Sequence, residues 1–556
     1  MFIPQSYLFK NIIPELVSKY GGNNALGFVG EEFITYAQMG KRIESVMAYM
    51  EALGVQPGDR VILYSQNMPN WGIVYFATQC MGVVVVPVLP DFTAYELGNI
   101  IEHSEAKAIF ISKSLEFKLA KIEKFSSRLV IRVDDFDLLK GREDSPRYNE
   151  NKKPKGTYSP NEDVMSVLLY TSGTTGTPKG VMLSQRNLIT NIYQSNNVQE
   201  IVGSDRFLSL LPLSHTYENT IGFLLPIMNG ASISYLRKPP SGSVLLPALE
   251  KVKPTLMLTV PLIIEKIYKE SIQKKINSKA ITRLLYKFRP TQKTLNRVAG
   301  KKLYETFGGQ LKFFGIGGAK LDAEVERFLI DAKFPFAIGY GLTETSPLVA
   351  GCAPGKGKHQ AIGPKVVDSE VIIHSPDPKT GEGEIWVRGN HVMLGYYKNE
   401  EITKEVLTDD GWFKTGDLGS FDKNGMLTHK GRLKSMIVGA SGENIYPEEI
   451  ESLINKFEFV EESVVIEDKG GLVALVHFNM EELEQKLKEM ASDASIKIEN
   501  KVTELKADLL EYINSKVSKS SKLQDIVDHV EPFKKTATNK IKRYLYKSED
   551  EKSRSK

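Results

Sequence analysis

The sequence predicts an α/β protein: a large N-terminal region of two α/β subdomains plus a small antiparallel β region, followed by a small α+β C-terminal domain. Three observations carry this. Short apolar runs alternate with helical patterns as far as Tyr340, the texture changes to short, turn-separated segments after Gly363, and from Ser435 strands mix with charged amphipathic helices. At 556 residues the chain exceeds what one core organises, so several domains are required.

In the first block, RVILYSQ from Arg60, MGVVVVPVLP from Met81 and AKAIFIS from Ala106 are apolar runs between helical patterns. That alternation implies βαβ units and a buried parallel sheet. A second alternating block, from about Asn161 to about Tyr340, supplies SVLLYTS, SISYL, LMLTV, LKFFGIGG and FAIGYG, so two related α/β halves are expected. Beyond Gly363, EVIIHS, GEGEIWVRG and GWFKTGDLGSFDKNGMLTHKG read as antiparallel strands, with TGEG and DKNG supplying turn chemistry. ESVVIE and GLVALVHFN are the strands of the last part, and a boundary near 432–435 gives domains 1–433 and 434–556, the second of ordinary small-domain size. Within it, apolar positions at Leu483, Leu487, Met490, Leu505, Leu509, Leu510 and Ile513 among Glu and Lys predict amphipathic surface helices.

A composition of 41% hydrophobic and 25% charged residues is that of a soluble globular protein and excludes a disordered or fibrous chain. The formal net charge of +4 is too small to indicate nucleic acid as a partner. Basic charge is concentrated locally. Residues 271–302 contain no acid but carry Lys274, Lys275, Lys279, Arg283, Lys287, Arg289, Lys293, Arg297, Lys301 and Lys302, which suits either an anionic bilayer surface or a solvated helical face. Cys80 and Cys352 form no disulfide framework and lack metal-ligand spacing, pointing to a reducing compartment. The first residues lack the features of a signal peptide and no apolar run reaches the roughly 18 residues that span a bilayer, so a cytoplasmic protein is expected, with any membrane contact peripheral.

The most informative stretch is YTSGTTGTPKG, residues 170–180, between the strand-like SVLLY and the helix-like NLITNIYQ. Its glycines let backbone amides converge, and its hydroxyls and one ammonium are donors suited to polyphosphate, with no acid among them. Lys179 lies between Pro178 and Gly180 with no Ser or Thr after it, which departs from the common nucleotide loop and argues against a GTPase or motor-type ATPase. With GYGLTET at 339–345 and GRLK at 431–434, this stretch resembles the adenylate-forming (AMP-binding) superfamily of acyl-CoA synthetases, luciferases and peptide-synthetase adenylation domains. The match runs in order along nearly the whole chain. It implies an ATP-dependent acid:thiol ligase that makes an acyl-adenylate, releases pyrophosphate and passes the acyl group to coenzyme A, using ATP, Mg2+ and coenzyme A.

Carried over residue by residue, the resemblance assigns the phosphate cradle to Thr171, Ser172, Gly173, Thr174, Thr175 and Lys179. Gly318 and Ala319 of GIGGAKL would border adenine, Tyr340 would stack near it, and Thr343 would contact the phosphoryl region. Glu344 and Thr171 would hold magnesium, a hard cation that shares oxygen ligands with substrate phosphates. Asp417 in GWFKTGDLG would accept the ribose hydroxyls, assisted by Arg432. Lys540 in FKKTATNKIKRYLY matches the catalytic lysine; Asn539 precedes it where many members carry Gly, and Asn is among the residues best able to take positive φ. The resemblance also implies that the small domain is mobile, with a hinge at Lys434 and a pantetheine path lined by Gly442. LLPLSHTYENTIGFLLPIMNG at 210–230, with KPT at Lys253 and VPLIIEKIY at Val260, resembles the long-chain fatty acyl branch. His215 would be its pocket-side gate and the substrate a medium to long fatty acid, with no nucleic acid and no obligate protein partner. Competing readings are a carrier-protein phosphopantetheine as acceptor, an aryl or amino acid as substrate, and a non-catalytic acyl or nucleotide sensor on the same scaffold.

Overall fold

The computed structural model describes residues 4–122, 128–171, 179–438, 444–468, 470–490, 498–536 and 540–546. The valine- and isoleucine-rich runs have no polar face to turn outward, and they form the buried strands of two sheets with parallel centres. The first sheet has eight strands in the order Gly395–Tyr396, Lys179–Ser184, Met165–Thr171, Val84–Val88, Arg60–Tyr64, Ala108–Ile111, Leu129–Arg132 and Leu138–Lys140. The second, also of eight, runs Leu348–Gly351, Phe336–Gly341, Phe313–Ile316, Leu256–Thr259, Arg206–Ser209, Ser232–Tyr235, Asn24–Phe28 and Ile34–Thr35.

The two halves are present, but they do not divide at Asn161. Met165–Thr171 pairs parallel with Val84–Val88 in the first sheet, whereas the early strand Asn24–Phe28 pairs parallel with Ser232–Tyr235 in the second. An apolar run encodes burial on both faces and says nothing about which neighbour it joins.

Helices fill the space between the sheets. On Pro69–Met81, Trp71 stacks on Tyr75 at 5.3 Å and meets Phe223 of the π-helical segment Glu218–Leu224 edge-on at 5.6 Å, while Phe76 lies 5.1 Å from Phe223. All four rings are fully buried in one continuous core. Truncating any of them would cost roughly 3–5 kcal/mol, so this shared core ties the two sheets together.

A third, antiparallel sheet follows, in the order Glu370–His374, Gly383–Arg388, Phe413–Phe421 and Leu427–Arg432. The DKNG turn joins its last two strands as expected: Asp422 accepts from the backbone of Asn424 and Met426, and Gly425 has φ +72°. That hairpin sets Asp417 directly across from Arg432. The late part of the chain forms a mixed sheet of Val460–Asp468, Gly471–Phe478 and Leu523–Asp528 with its own core, in which Leu509 and Ile513 of the helix Ile498–Asn514 pack on Ile450, Ile454 and Ala474. Among the described residues no helix is long and apolar enough to cross a membrane.

Candidate active site

The carboxyl ends of the parallel strands in the second sheet open on one crevice, the position at which open α/β sheets take ligands. Past Arg206–Ser209 comes His215, past Phe313–Ile316 come Gly317, Gly318 and Ala319, and past Phe336–Gly341 come Thr343 and Glu344. Gly318 has φ +90°, a backbone conformation that side-chain-bearing residues avoid. At Gly341 an added Cβ would come within 1.9 Å of the Pro347 carbonyl oxygen, so the short turn presenting Glu344 closes only on glycine.

On the facing antiparallel sheet, Asp417 is 3% exposed and Arg432 Nε stands 2.8 Å from its Oδ1. The Tyr340 hydroxyl donates to Asp417 Oδ2 at 2.8 Å, and His429, whose ring lies 5.5 Å from that of Tyr340, places Nε2 3.6 Å from Oδ1. Burial by itself would raise the Asp417 pKa, but His429, the Arg432 charge and the Tyr340 hydroxyl outweigh it and hold the carboxylate below its ordinary range. Tyr340 therefore orients the acidic acceptor through its hydroxyl, beyond the aromatic face the sequence suggested.

Lys179 opens its strand directly opposite Thr171. Its ammonium lies 5.1 Å over the ring of Tyr396, whose hydroxyl donates to Glu344 Oε1 at 2.8 Å. Burial and then the charge of Lys434 lower the Lys179 pKa, with Glu344 and Glu405 opposing them. Ser172, Gly173, Thr174 and Thr175 of the cradle, together with Asn539 and Gly442, lie outside the described residues.

Lys540 comes from the far end of the chain. Its backbone N–H donates to Thr536 Oγ1 at 3.1 Å, and the Thr536 N–H donates back to the Lys540 carbonyl at 2.8 Å. Three residues on, Arg543 grips Glu451 of the helix Pro447–Ile454 through both guanidinium nitrogens, Nη1 to Oε1 at 2.6 Å, which fixes this segment to the late sheet. The Lys540 side chain keeps contact with solvent, yet protein crowds it: desolvation and the nearby Arg432 lower its pKa, while Asp417, Glu448 and Glu344 act in the opposite direction. The charge of Lys540 also acts on His215. Burial first, and Lys540 second, push that imidazole down to about 4, and its Nδ1 accepts from the Tyr217 backbone N–H at 3.3 Å. His215 is thus neutral at physiological pH, with its proton assigned to Nε2.

The structure therefore brings His215, Glu344, Asp417, Arg432, Lys179, Lys434 and Lys540 to one crevice, with Thr343, Gly318 and Ala319 on the turns that edge it. Four cations, Lys179, Arg432, Lys434 and Lys540, face four carboxylates there, Glu344, Glu405, Asp417 and Glu448. Tyr396, His429 and Glu448 belong to the same cluster and were not legible in the sequence, because no local pattern announces them. Their signal lies in strand register and in the crossing of distant segments.

An apolar pocket adjoins the crevice, lined by Tyr217, Ile221, Leu225, Leu256, Leu258 and Phe313. Tyr217, Ile221 and Leu225 recur every fourth residue across the π-helical turn, and an added Cβ at Gly317 would stand only 3.1 Å from the Tyr217 ring. Glu218, fully buried in this segment, bonds Ser209 Oγ at 2.5 Å, and burial pushes its pKa up to about 8, which keeps it protonated at neutral pH.

Residues 14–397 match the AMP-binding enzyme family. Over 513 residues the chain is 30% identical to long chain acyl-CoA synthetase 7, peroxisomal, of Arabidopsis thaliana, a match that covers 85% of this chain and 72% of that protein. It is 28% identical over 539 residues to long-chain-fatty-acid–CoA ligase 1 of Saccharomyces cerevisiae, covering 85% of this chain and 76% of the relative. Its fold matches that of the o-succinylbenzoate coenzyme A synthetase of Bacillus subtilis, solved in complex with ATP and magnesium ion, with a TM-score of 0.74, 21% identity, and coverage of 96% of this chain and 98% of that one. With a family match over most of its length, the chain belongs to the AMP-binding enzymes, in their long-chain acyl-CoA synthetase branch.

Proposed function

We propose that this protein ligates a fatty acid of medium to long chain to coenzyme A at the expense of ATP, through an acyl-adenylate and with release of pyrophosphate. One observation carries the reading: Lys540, Arg432 and Lys179 converge on Glu344 and Asp417 beside an apolar cavity whose wall includes Gly339 and Tyr217, on the segments leading to Glu344 and away from His215.

In the first half-reaction an oxygen of the acid's carboxylate bonds the α-phosphorus as the bond from that phosphorus to the bridging oxygen breaks and pyrophosphate leaves. Two anions must meet, so the protein's part is positive potential and positioning. Asp417 accepts the ribose hydroxyls and Arg432 neutralises it while reaching the phosphates. Lys179, with the 171–175 loop, takes the outer phosphates, Thr343 offers a hydroxyl to the phosphoryl group, and Gly318 and Ala319 leave room for the flat base beside Tyr340. Lys540 meets the charge that grows between the carboxylate and the α-phosphoryl oxygens. His215, neutral, closes the passage between acid and adenylate without adding a charge that the mixed anhydride would meet. Glu344 and Thr171 would hold a magnesium ion, a hard cation suited to oxygen ligands, which would supply Lewis-acid neutralisation of the polyphosphate.

In the second half-reaction the thiol sulfur of coenzyme A bonds the acyl carbon as the anhydride carbon–oxygen bond breaks and AMP leaves. We assign residues 434–556 to a unit that turns about Lys434, withdrawing Lys540 and bringing the Gly442 segment to the pantetheine. The free Cys80 and Cys352 fit a reducing compartment, so we place the protein in the cytoplasm, with the 271–302 segment at a membrane surface and no obligate protein partner.

The test is AMP formation with a series of acids from hexanoate to stearate, with and without coenzyme A. Acid-dependent ATP–pyrophosphate exchange should occur without coenzyme A, and acyl-CoA should form in step with AMP when it is added. Absence of exchange with every acid would overturn the ligase reading, and transfer only to a carrier-protein phosphopantetheine would replace the acceptor.

A further inference from the structure

The segment 261–306 is a run of short helices: Pro261–Ile267, Tyr268–Gln273, Lys274–Asn277, Ala280–Tyr286 and Arg289–Thr306. The fourth of them, Ala280–Tyr286, turns its apolar side outward. Ile281, Leu284 and Leu285, at the i, i+3, i+4 spacing of one helical face, are 73%, 58% and 38% exposed, and Phe288 just beyond the helix is 59% exposed. Thr282 and Tyr286 face inward. Thr282 Oγ1 donates to the Ile276 carbonyl at 2.6 Å, and the Tyr286 hydroxyl donates to Asn296 Oδ1 at 3.0 Å and stands 3.2 Å from the Tyr268 hydroxyl. Three polar anchors thus hold the helix so that its aliphatic side meets solvent.

The charges around this face have the same peculiarity. Lys279, Arg283 and Lys287 border it, all exposed. Of the basic residues in 271–302, only Arg289 makes an ion pair among the described residues, with the buried Asp331 at 2.6 Å. Arg283 also donates to the Asn277 carbonyl at 3.2 Å, and Glu324 lies behind the helix, accepting from Tyr268, which contacts Tyr286. An apolar face bordered by cations that make no ion pair among the described residues matches an anionic bilayer surface, where the aliphatic side chains enter the headgroup–acyl boundary and the cations meet phosphates. A second copy of the chain is a poor occupant, since pairing this face with itself would oppose like charges.

We propose that Ala280–Tyr286, with Phe288, is an interfacial anchor that inserts into anionic membranes. The proposal deepens the membrane-surface contact suggested above, and its benefit to catalysis rests on the fatty-acid reading: the helical run begins at Pro261, directly after Leu256–Thr259, whose Leu256 and Leu258 line the apolar cavity. An anchor there would set the acid pocket beside the phase in which such acids dissolve.

The experiment is cosedimentation of the full-length protein with phosphatidylcholine vesicles, with and without phosphatidylglycerol, at low and high salt. Binding should require the anionic lipid. Leu284→Ser with Phe288→Ser should weaken it roughly tenfold or more, and Lys279→Gln and Lys287→Gln should weaken it about fivefold each. In a Phe288→Trp variant, fluorescence should shift to the blue and be quenched by lipids brominated on their acyl chains. Octanoate ligation without vesicles reports the ligase separately and should be unchanged in all these variants. Binding that the serine substitutions leave intact and salt abolishes would show mere adsorption and overturn insertion, as would absent quenching, absent binding, or a stable dimer that the serine substitutions dissociate. Loss of octanoate ligation in the wild type would instead count against the proposed reaction and leave the vesicle result standing.

Discussion

Lys540→Ala isolates the group on which the first half-reaction depends. Among the described residues Lys540 enters the fold's hydrogen bonding through its backbone, with Thr536, so removing the side chain subtracts a charge from the crevice without dismantling the turn. Two unit charges about 4 Å apart interact by roughly 4 kcal/mol at the effective dielectric of a partly solvated site. Loss of one preorganised donor ordinarily costs about 2.7–4 kcal/mol, or roughly 10²–10³ in rate. The two scales agree, and both give an expected fall of two to three orders of magnitude in acid-dependent ATP–pyrophosphate exchange. Thioester formation from preformed acyl-adenylate, followed in a single turnover, should fall less than about tenfold. Equal loss in the two half-reactions would refute the assignment. The pH dependence gives a second reading. Because desolvation and Arg432 lower the Lys540 pKa, its ammonium is present at low pH and is lost as pH rises through a value below the ordinary lysine range. Adenylation should therefore show an alkaline limb that Lys540→Arg, which cannot titrate there, moves upward.

Three further substitutions test separate parts of the argument. Lys434→Pro, which fixes φ at the assigned pivot, should slow thioester formation more than adenylation, and unchanged rates of both would remove Lys434 from that role. Arg543→Met would leave Glu451, 7% exposed, buried without its guanidinium partner; urea denaturation should show a loss of about 3 kcal/mol, and a loss under about 1 kcal/mol would contradict the anchoring role. Glu218 has its folded pKa raised to about 8 from an unfolded value near 4.3, so its stabilising effect is full below the unfolded value and is lost as pH rises through about 8. Glu218→Gln should remove that slope and be more stable than the wild type at the alkaline end by on the order of a few kcal/mol; parallel stability profiles would show that Glu218 is not protonated in the fold.

The sequence was most informative where a function needs consecutive residues. RVILY, VVVPV and AIFI became parallel strands because each is apolar on both faces, and the turns carrying Gly318 and Glu344 could be placed because glycine is tied there to backbone conformation or close approach. What stayed hidden depends on pairing over distance. The Asn24–Phe28 strand joins Ser232–Tyr235, more than two hundred residues away, and nothing in either run names the other. Tyr396 meets Glu344 and His429 meets Asp417 only after the hairpins are in register. The segment 271–302 illustrates the opposite limit. Its basic charge was visible at once, but which side of Ala280–Tyr286 faces outward was not, because the periodicity of a helix is the same whether its apolar face is buried or bare.

The placement of strong and weak contacts bears on how one crevice could serve two reactions. Strong contacts lie within each part: Trp71, Tyr75, Phe76 and Phe223 lock the two sheets, and Arg543 with Glu451 locks the Lys540 segment to the late sheet. Between the parts the side-chain hydrogen bonds and ion pairs are polar contacts, from exposed to half-buried. Lys320 meets Glu449 at 3.1 Å with both side chains more than a third exposed, Lys456 meets Asp322 at 2.6 Å, and the Tyr446 hydroxyl donates to Glu382 at 2.8 Å. An exposed ion pair such as Lys320–Glu449 contributes about 0–1 kcal/mol, whereas Lys456–Asp322, with its carboxylate only 13% exposed, counts for more. The helix Pro447–Ile454 shows the division within a few residues: Glu451 turns inward to Arg543, Glu449 outward to Lys320, and Glu448 stands within electrostatic reach of Lys540. Rotation about Lys434 would therefore keep Lys540 fixed to its own domain while exchanging contacts worth only a few kcal/mol. Differential binding of ATP in one arrangement and coenzyme A in the other can supply that much, since about 5.5 kcal/mol suffices to carry a two-state equilibrium from one extreme to the other.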